Sequence, residues 1–129
     1  MSNKSSIKRF IFIFLLLSYL AVLSYLYFGN IPKSTLLPDS MFGFEIDKVV
    51  HFVMFFPYPF LAHGSFTGKR KWRNLLFIFF FGILLAYCFE LSQSRISPSR
   101  TTDPWDLIFN IASLTLATFL LAIIDLFRK

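Results

Sequence analysis

The sequence predicts an all-α integral membrane protein, a four-helix bundle with both termini in the cytoplasm. Three observations lead there. Of its 129 residues 56% are hydrophobic and only 16% are charged, too few charges to cover a soluble domain of this size, which exposes much of its surface. Four apolar runs each approach the roughly 20 residues that cross a hydrocarbon core as a helix. Nine of the thirteen Lys and Arg residues fall on one side of the alternation those runs create, and the positive-inside rule makes that side cytoplasmic.

The first span, residues 10–28, carries no charge and follows Lys4, Lys8 and Arg9. It outruns the usual 7–15-residue hydrophobic stretch of a signal peptide and lacks a small-x-small cleavage site, so it reads as a retained helix. The second, 49–66, contains His51, His63, Pro57 and Pro59 and is expected to kink, which a membrane bundle tolerates when neighbours satisfy the freed carbonyls. The third, 75–91, is clean until Glu90. The fourth, 107–126, is clean until Asp125. Lys69, Arg70, Lys71 and Arg73 separate spans two and three, and Arg128 and Lys129 close the chain, all on the inner side. Residues 1–129 thus form one transmembrane domain of spans, tails and short loops. The phenylalanine-rich stretches 10–14 and 77–81 are expected to face lipid or pack, and His63 to sit at the inner interface. Cys88 is the only cysteine and excludes an intramolecular disulfide. The net charge of +6 does not mark nucleic-acid binding, because the basic residues cluster beside apolar runs instead of lining a polar face.

The outer side holds the polar residues that topology leaves unexplained. Asp47 and His51 are four apart at the outer end of span two, with Lys48 adjacent; Glu90 and Gln93 are three apart on span three; Asp106 and Asn110 are four apart on span four. Each pair shares a helix face, so three helices bring polar pairs to one depth. Between spans three and four a polar loop, 92–106, carries Arg95, Arg100 and Asp103. The local pattern Asp103-Pro104-Trp105-Asp106 reads as a helix start, with Asp103 as N-cap, Pro104 at the first helical position and Asp106 suited to the dipole. Glu90 lies a turn inside its span, where a carboxylate is costly and should face the bundle and a donor; His51, Lys48 and Arg100 are candidate donors. The sequence leaves open both a structural network clamping the helices and a binding or acid–base site. His51, Glu90 and Asp106 lack the close spacing of a zinc motif, so no metal or other cofactor is expected. Ser92, Ser94, Ser97 and Ser99 have no nucleophile elbow to pair with His51.

Asp47-Lys48-x-x-His51-Phe52 opening one span, followed by Glu90-x-x-Gln93, Arg100-x-x-Asp103-x-x-Asp106 and Asn110 around the start of another, resembles the VanZ-like family of small bacterial membrane proteins. The resemblance covers about residues 47–110 and departs after Asn110, where Ile111-Ala112-Ser113-Leu114 carries none of the family's glycines. It implies a multi-pass protein of the inner (cytoplasmic) membrane with an envelope role; the family takes its name from a member linked to teicoplanin resistance. On that footing the outer cluster, Asp47, Lys48, His51, Glu90, Gln93, Arg100, Asp103, Asp106 and Asn110, is expected to bind an amphiphilic headgroup, with membrane lipids, a lipid-linked cell-wall precursor or a glycopeptide as partners. Lys48 and Arg100 would meet an anionic headgroup, His51, Glu90 and Asp106 would position protons or a cation, and Gln93 and Asn110 would orient the ligand. Two alternatives stand beside it: a membrane transferase or hydrolase acting on a lipid-linked substrate, with His51 or Glu90 as general base and Asp106 as a further catalytic candidate, and an accessory or scaffold protein whose cluster only clamps the bundle.

Overall fold

A computed structural model describes residues 3–29, 38–66, 71–96 and 103–128. The elements run α1 (Asn3–Phe28), β1 (Ser40–Met41), β2 (Phe44–Glu45), α2 (Ile46–Phe55), α3 (Tyr58–Ser65), α4 (Lys71–Ile96) and α5 (Pro104–Phe127). The chain is overwhelmingly helical, as the sequence predicts. Among the described residues the one β feature is a two-residue ladder pairing Ser40 with Glu45 and Met41 with Phe44. Its turn has Phe42 at φ 55° and Gly43 at φ 81°, the left-handed pair that suits a tight hairpin, and Ile46 N–H donates to Asp39 C=O at 3.1 Å to fasten the hairpin to α2.

Helices α1, α4 and α5 are each long and apolar enough to cross a membrane; at 1.5 Å per residue the 26 residues of α4 reach about 39 Å. Their outward faces remain uncovered. Phe10, Phe14, Leu17, Phe77, Phe80 and Phe119 are all exposed, an arrangement of apolar side chains that water would penalise and acyl chains would solvate. The two phenylalanine-rich stretches therefore lie mostly outward, while Phe79 packs on the core.

The second predicted span is two helices. Pro57 and Pro59 remove two backbone donors within one turn, so the α-helical ladder breaks after Phe55. Phe56 and Pro57 nevertheless keep right-handed helical angles (φ −59°, ψ −40°; φ −70°, ψ −22°), and Leu61 N–H to Pro57 C=O at 3.2 Å resumes the ladder. Side-chain donors from other helices attend the carbonyls beside the break: the Tyr19 hydroxyl donates to Met54 C=O and the Ser113 hydroxyl to Phe52 C=O. Neighbouring side chains that satisfy backbone groups in this way let a helix tolerate proline.

Helix α5 packs against α2, α3 and α4, and α1 against α3 and α4. Leu23, Tyr27, Phe55, Tyr58, Ala62, Ile78, Ala86 and Leu114 form the core. On α4 the buried stripe runs Leu75, Ile78, Gly82, Ala86, Glu90, Gln93, and on α5 Asp106, Asn110, Ser113, Ala117, Leu121, each in steps of three and four that keep one face inward. One stripe ends polar and the other begins polar. Since α5 returns beside α4, the polar ends meet.

Gly82 sets how closely α4 approaches its neighbours: a Cβ there would lie 2.8 Å from Tyr58 Cε1 and 3.0 Å from Leu114 Cδ2. Gly82→Leu is expected to lower the melting temperature in detergent, with an overpacking cost of roughly 1–3 kcal/mol. Gly82→Ala should fall between it and the parent, because helix propensity offsets part of the clash. Thermal unfolding followed by circular dichroism checks the order.

Candidate functional site

At the end of the bundle where α1 and α4 finish and α2 and α5 begin, four helices converge on His51. Its Nδ1 is 3.3 Å from Glu90 Oε1 and its Nε2 is 3.5 Å from Asp106 Oδ2. Tyr27, in the last turn of α1, places its hydroxyl 2.8 Å from the same His51 Nδ1 and donates to Glu90 Oε1 at 2.9 Å. Asn110 Nδ2 donates to the Tyr27 hydroxyl at 2.8 Å and to Glu90 Oε1 at 3.0 Å. The assignments fit one pattern. If the Tyr27 proton goes to Glu90, the phenolic oxygen accepts from Asn110 and from His51 Nδ1–H, and His51 Nε2 is left facing Asp106. His51 thus stands between two carboxylates, its Nδ1 towards Tyr27 and Glu90 and its Nε2 towards Asp106.

Glu90 and Gln93 are each 5% exposed, Asp106 9% and Asn110 0%. Burial of this kind needs partners, and Glu90 Oε1 accepts from Tyr27 on α1 and Asn110 on α5 with His51 Nδ1 of α2 3.3 Å away. Glu90 Oε2, Asp106 Oδ1 and Asn110 Oδ1, by contrast, are buried with no hydrogen-bond donor among the described residues.

Lys48, one turn before His51, forms the outer tier. Its ammonium lies 2.9 Å from Asp103 Oδ2, 3.1 Å from Glu45 Oε2 and 3.7 Å from Asp106 Oδ1. The hydrogen bond to Asp103 lifts Lys48 above its ordinary range, with burial opposing and Glu45 assisting. Lys48 in turn holds Asp103 below the usual carboxylate range, aided by the Trp105 N–H. That N–H reaches Asp103 Oδ1 at 3.0 Å, so Asp103 is the N-cap of α5, with Pro104 following, as the sequence expects.

The structure thus joins Lys48, His51, Glu90, Asp103, Asp106 and Asn110 in one network and buries Gln93 one turn beyond Glu90. Asp47 does not enter the buried network; it is exposed at the rim, because the face of α2 that turns His51 inward leaves Asp47 nearer the surface. Arg100 lies outside the described residues. Of the donors expected for Glu90, His51 is one, while Lys48 serves Asp103, Glu45 and Asp106 instead. Tyr27 is the residue that sequence reasoning missed. Leu20, Leu23 and Tyr27 fall at three- and four-residue steps along α1, and that periodicity would have separated buried Tyr27 from exposed Tyr25. Among the described residues no group of three or more His, Cys, Asp or Glu side chains is arranged to hold a metal ion.

A second polar pair occupies the opposite end. His63 Nε2 is 3.1 Å from Asp125 Oδ2. Arg9 Nε donates to Ser65 C=O at 3.2 Å and Lys71 Nζ to Arg128 C=O at 3.2 Å, placing cations at the C-terminal ends of α3 and α5, where helix dipoles favour them.

Compared with protein-family models, with curated proteins and with solved structures, the chain has no match.

Proposed function

We propose that the chain is a VanZ-like integral membrane protein of the bacterial cell envelope, four times across the cytoplasmic membrane with both termini inside, whose His51–Glu90 cluster opens outward and binds the headgroup of an amphiphilic envelope component. One observation carries the binding role: a charged network buried at one end of three uncovered apolar helices, with acceptor atoms left unfilled. Charges at membrane depth are costly, and a bundle that needed only cohesion would do as well with apolar side chains of similar volume. Binding is favoured over acid–base chemistry because both nitrogens of His51 face carboxylates, whereas a general base needs a free nitrogen within reach of its substrate. Residues 49–66, most of the α2–α3 pair with its proline break, supply the second crossing in this reading.

Two measurements test it. Reporter fusions after Lys71 and after Lys129 should be cytoplasmic and one near Pro38 exported; a cytoplasmic signal near Pro38 would overturn the outward-facing site. The protein purified in mild detergent should carry co-purified lipid by native mass spectrometry, and lose it in His51→Ala while keeping its helical content. Retention of the same lipid in His51→Ala would remove the cluster from ligand binding.

A further inference from the structure

We infer that the group this site receives is a primary ammonium carried by a lipid headgroup; this rests on the binding reading above and gives its ligand a chemical class. Three buried oxygens point to it. Glu90 Oε2, Asp106 Oδ1 and Asn110 Oδ1 have no hydrogen-bond donor among the described residues, and an unmade hydrogen bond on a buried acceptor is costly, more so when the acceptor is charged. The three residues adjoin. Asn110 donates to Glu90 Oε1 at 3.0 Å, His51 stands between Glu90 and Asp106, and Asp106 and Asn110 are one turn apart on α5. Lys48 does not supply the missing donor: it is 3.7 Å from Asp106 Oδ1 and is hydrogen-bonded to Asp103 and Glu45.

An anionic headgroup fits this arrangement poorly. The donors that converge here, Tyr27 O–H, Asn110 Nδ2 and the His51 ring, already face protein oxygens. On the outer half of the sequence six carboxylates stand against four Lys and Arg residues, so an added phosphate would meet excess negative charge and leave the acceptors empty. A primary ammonium brings a positive charge and three N–H donors. A quaternary ammonium brings the charge alone, and so separates the two contributions.

The parent protein, reconstituted in nanodiscs or mild detergent with an equimolar mixture of phosphatidylethanolamine, its N-methyl and N,N-dimethyl derivatives, phosphatidylcholine and phosphatidylglycerol of identical acyl chains, is analysed by native mass spectrometry. Retention should fall stepwise as methyl groups replace N–H, with phosphatidylethanolamine favoured over phosphatidylcholine by about tenfold, the equivalent of one good hydrogen bond lost. The ligand series leaves the fold untouched. Glu90→Gln, which puts an amide where Oε2 lies, should erase the preference while keeping the parental melting temperature. Equal retention of phosphatidylethanolamine and phosphatidylcholine, or a preference for phosphatidylglycerol, would overturn the ammonium assignment and leave headgroup binding standing. Tighter binding of free ethanolamine than of the lipid would overturn the lipid source. Retention of none of the five would overturn the headgroup reading itself.

Discussion

Glu90→Ala will lower the melting temperature of the detergent-solubilised protein by more than any other single substitution in the cluster, whereas Glu90→Gln will leave it near the parental value. The difference follows from the two oxygens of one carboxylate. Oε1 accepts from Tyr27 on α1 and Asn110 on α5 and lies 3.3 Å from His51 Nδ1 on α2; Oε2 has no donor among the described residues. Alanine removes the oxygen on which three helices converge and leaves the Tyr27 hydroxyl, the Asn110 amide and the His51 ring without their shared acceptor, a loss within a buried network that costs about 3–5 kcal/mol. Glutamine can keep its carbonyl oxygen at the Oε1 position and place the amide at Oε2. Thermal unfolding of both variants beside the parent checks this, with a drop on the order of 10 °C expected for alanine. Equal drops in both would mean that the negative charge, and not the Oε1 acceptor, holds the helices.

The three long apolar helices were legible in the sequence because composition and run length fix them almost independently of packing. It also gave the polar residues of spans two to four, since an ionisable group at the end of an apolar helix has few bland explanations. Asp103 and Pro104 announced the start of α5 because capping is local chemistry. Tyr27 stayed hidden for the opposite reason: a tyrosine in an apolar span reads as one more aromatic until the helix face is known, and its hydroxyl acquires a role only when α2, α4 and α5 arrive. Asp47 misled in the same way. Its four-residue spacing to His51 is real, but the rotation of α2 is set by tertiary contacts, with Phe55 buried and Phe52 C=O receiving Ser113. The proline break was visible as a composition and not as a geometry. Two missing donors predict a kink, while the near-helical angles at Phe56 and Pro57 depend on hydroxyl donors from α1 and α5 that lie far away in sequence.

Lys48→Met is expected to be the next most damaging change, and its signature lies in the pH dependence. Lys48 ties the hairpin end at Glu45 to the cap of α5 at Asp103 and to Asp106, so methionine keeps the stem and removes the cation from three carboxylates. In the parent, Asp103 sits below its ordinary range; its contribution is present above the unfolded carboxyl value of about 3.9 and disappears as pH falls through the lower folded value. Lys48 sits above its ordinary range, so its contribution is complete below the unfolded value of about 10.4 and is lost as pH rises through the higher folded value. Between roughly pH 5 and pH 9 both halves of the pair are in place. The variant should melt below the parent throughout that window, and the gap should narrow on acidification as Asp103 takes up its proton in both proteins. High salt should shrink the gap only partly, because the Asp103 contact is screened more readily than the buried approach to Asp106. Melting temperatures of parent and Lys48→Met from pH 3 to pH 9 supply the test, and carboxyl NMR of Asp103 gives an independent reading, since its titration should move back towards the ordinary range in the variant. Parallel melting curves with an unmoved Asp103 titration would mean that the three contacts of Lys48 contribute nothing to holding α2 against α5.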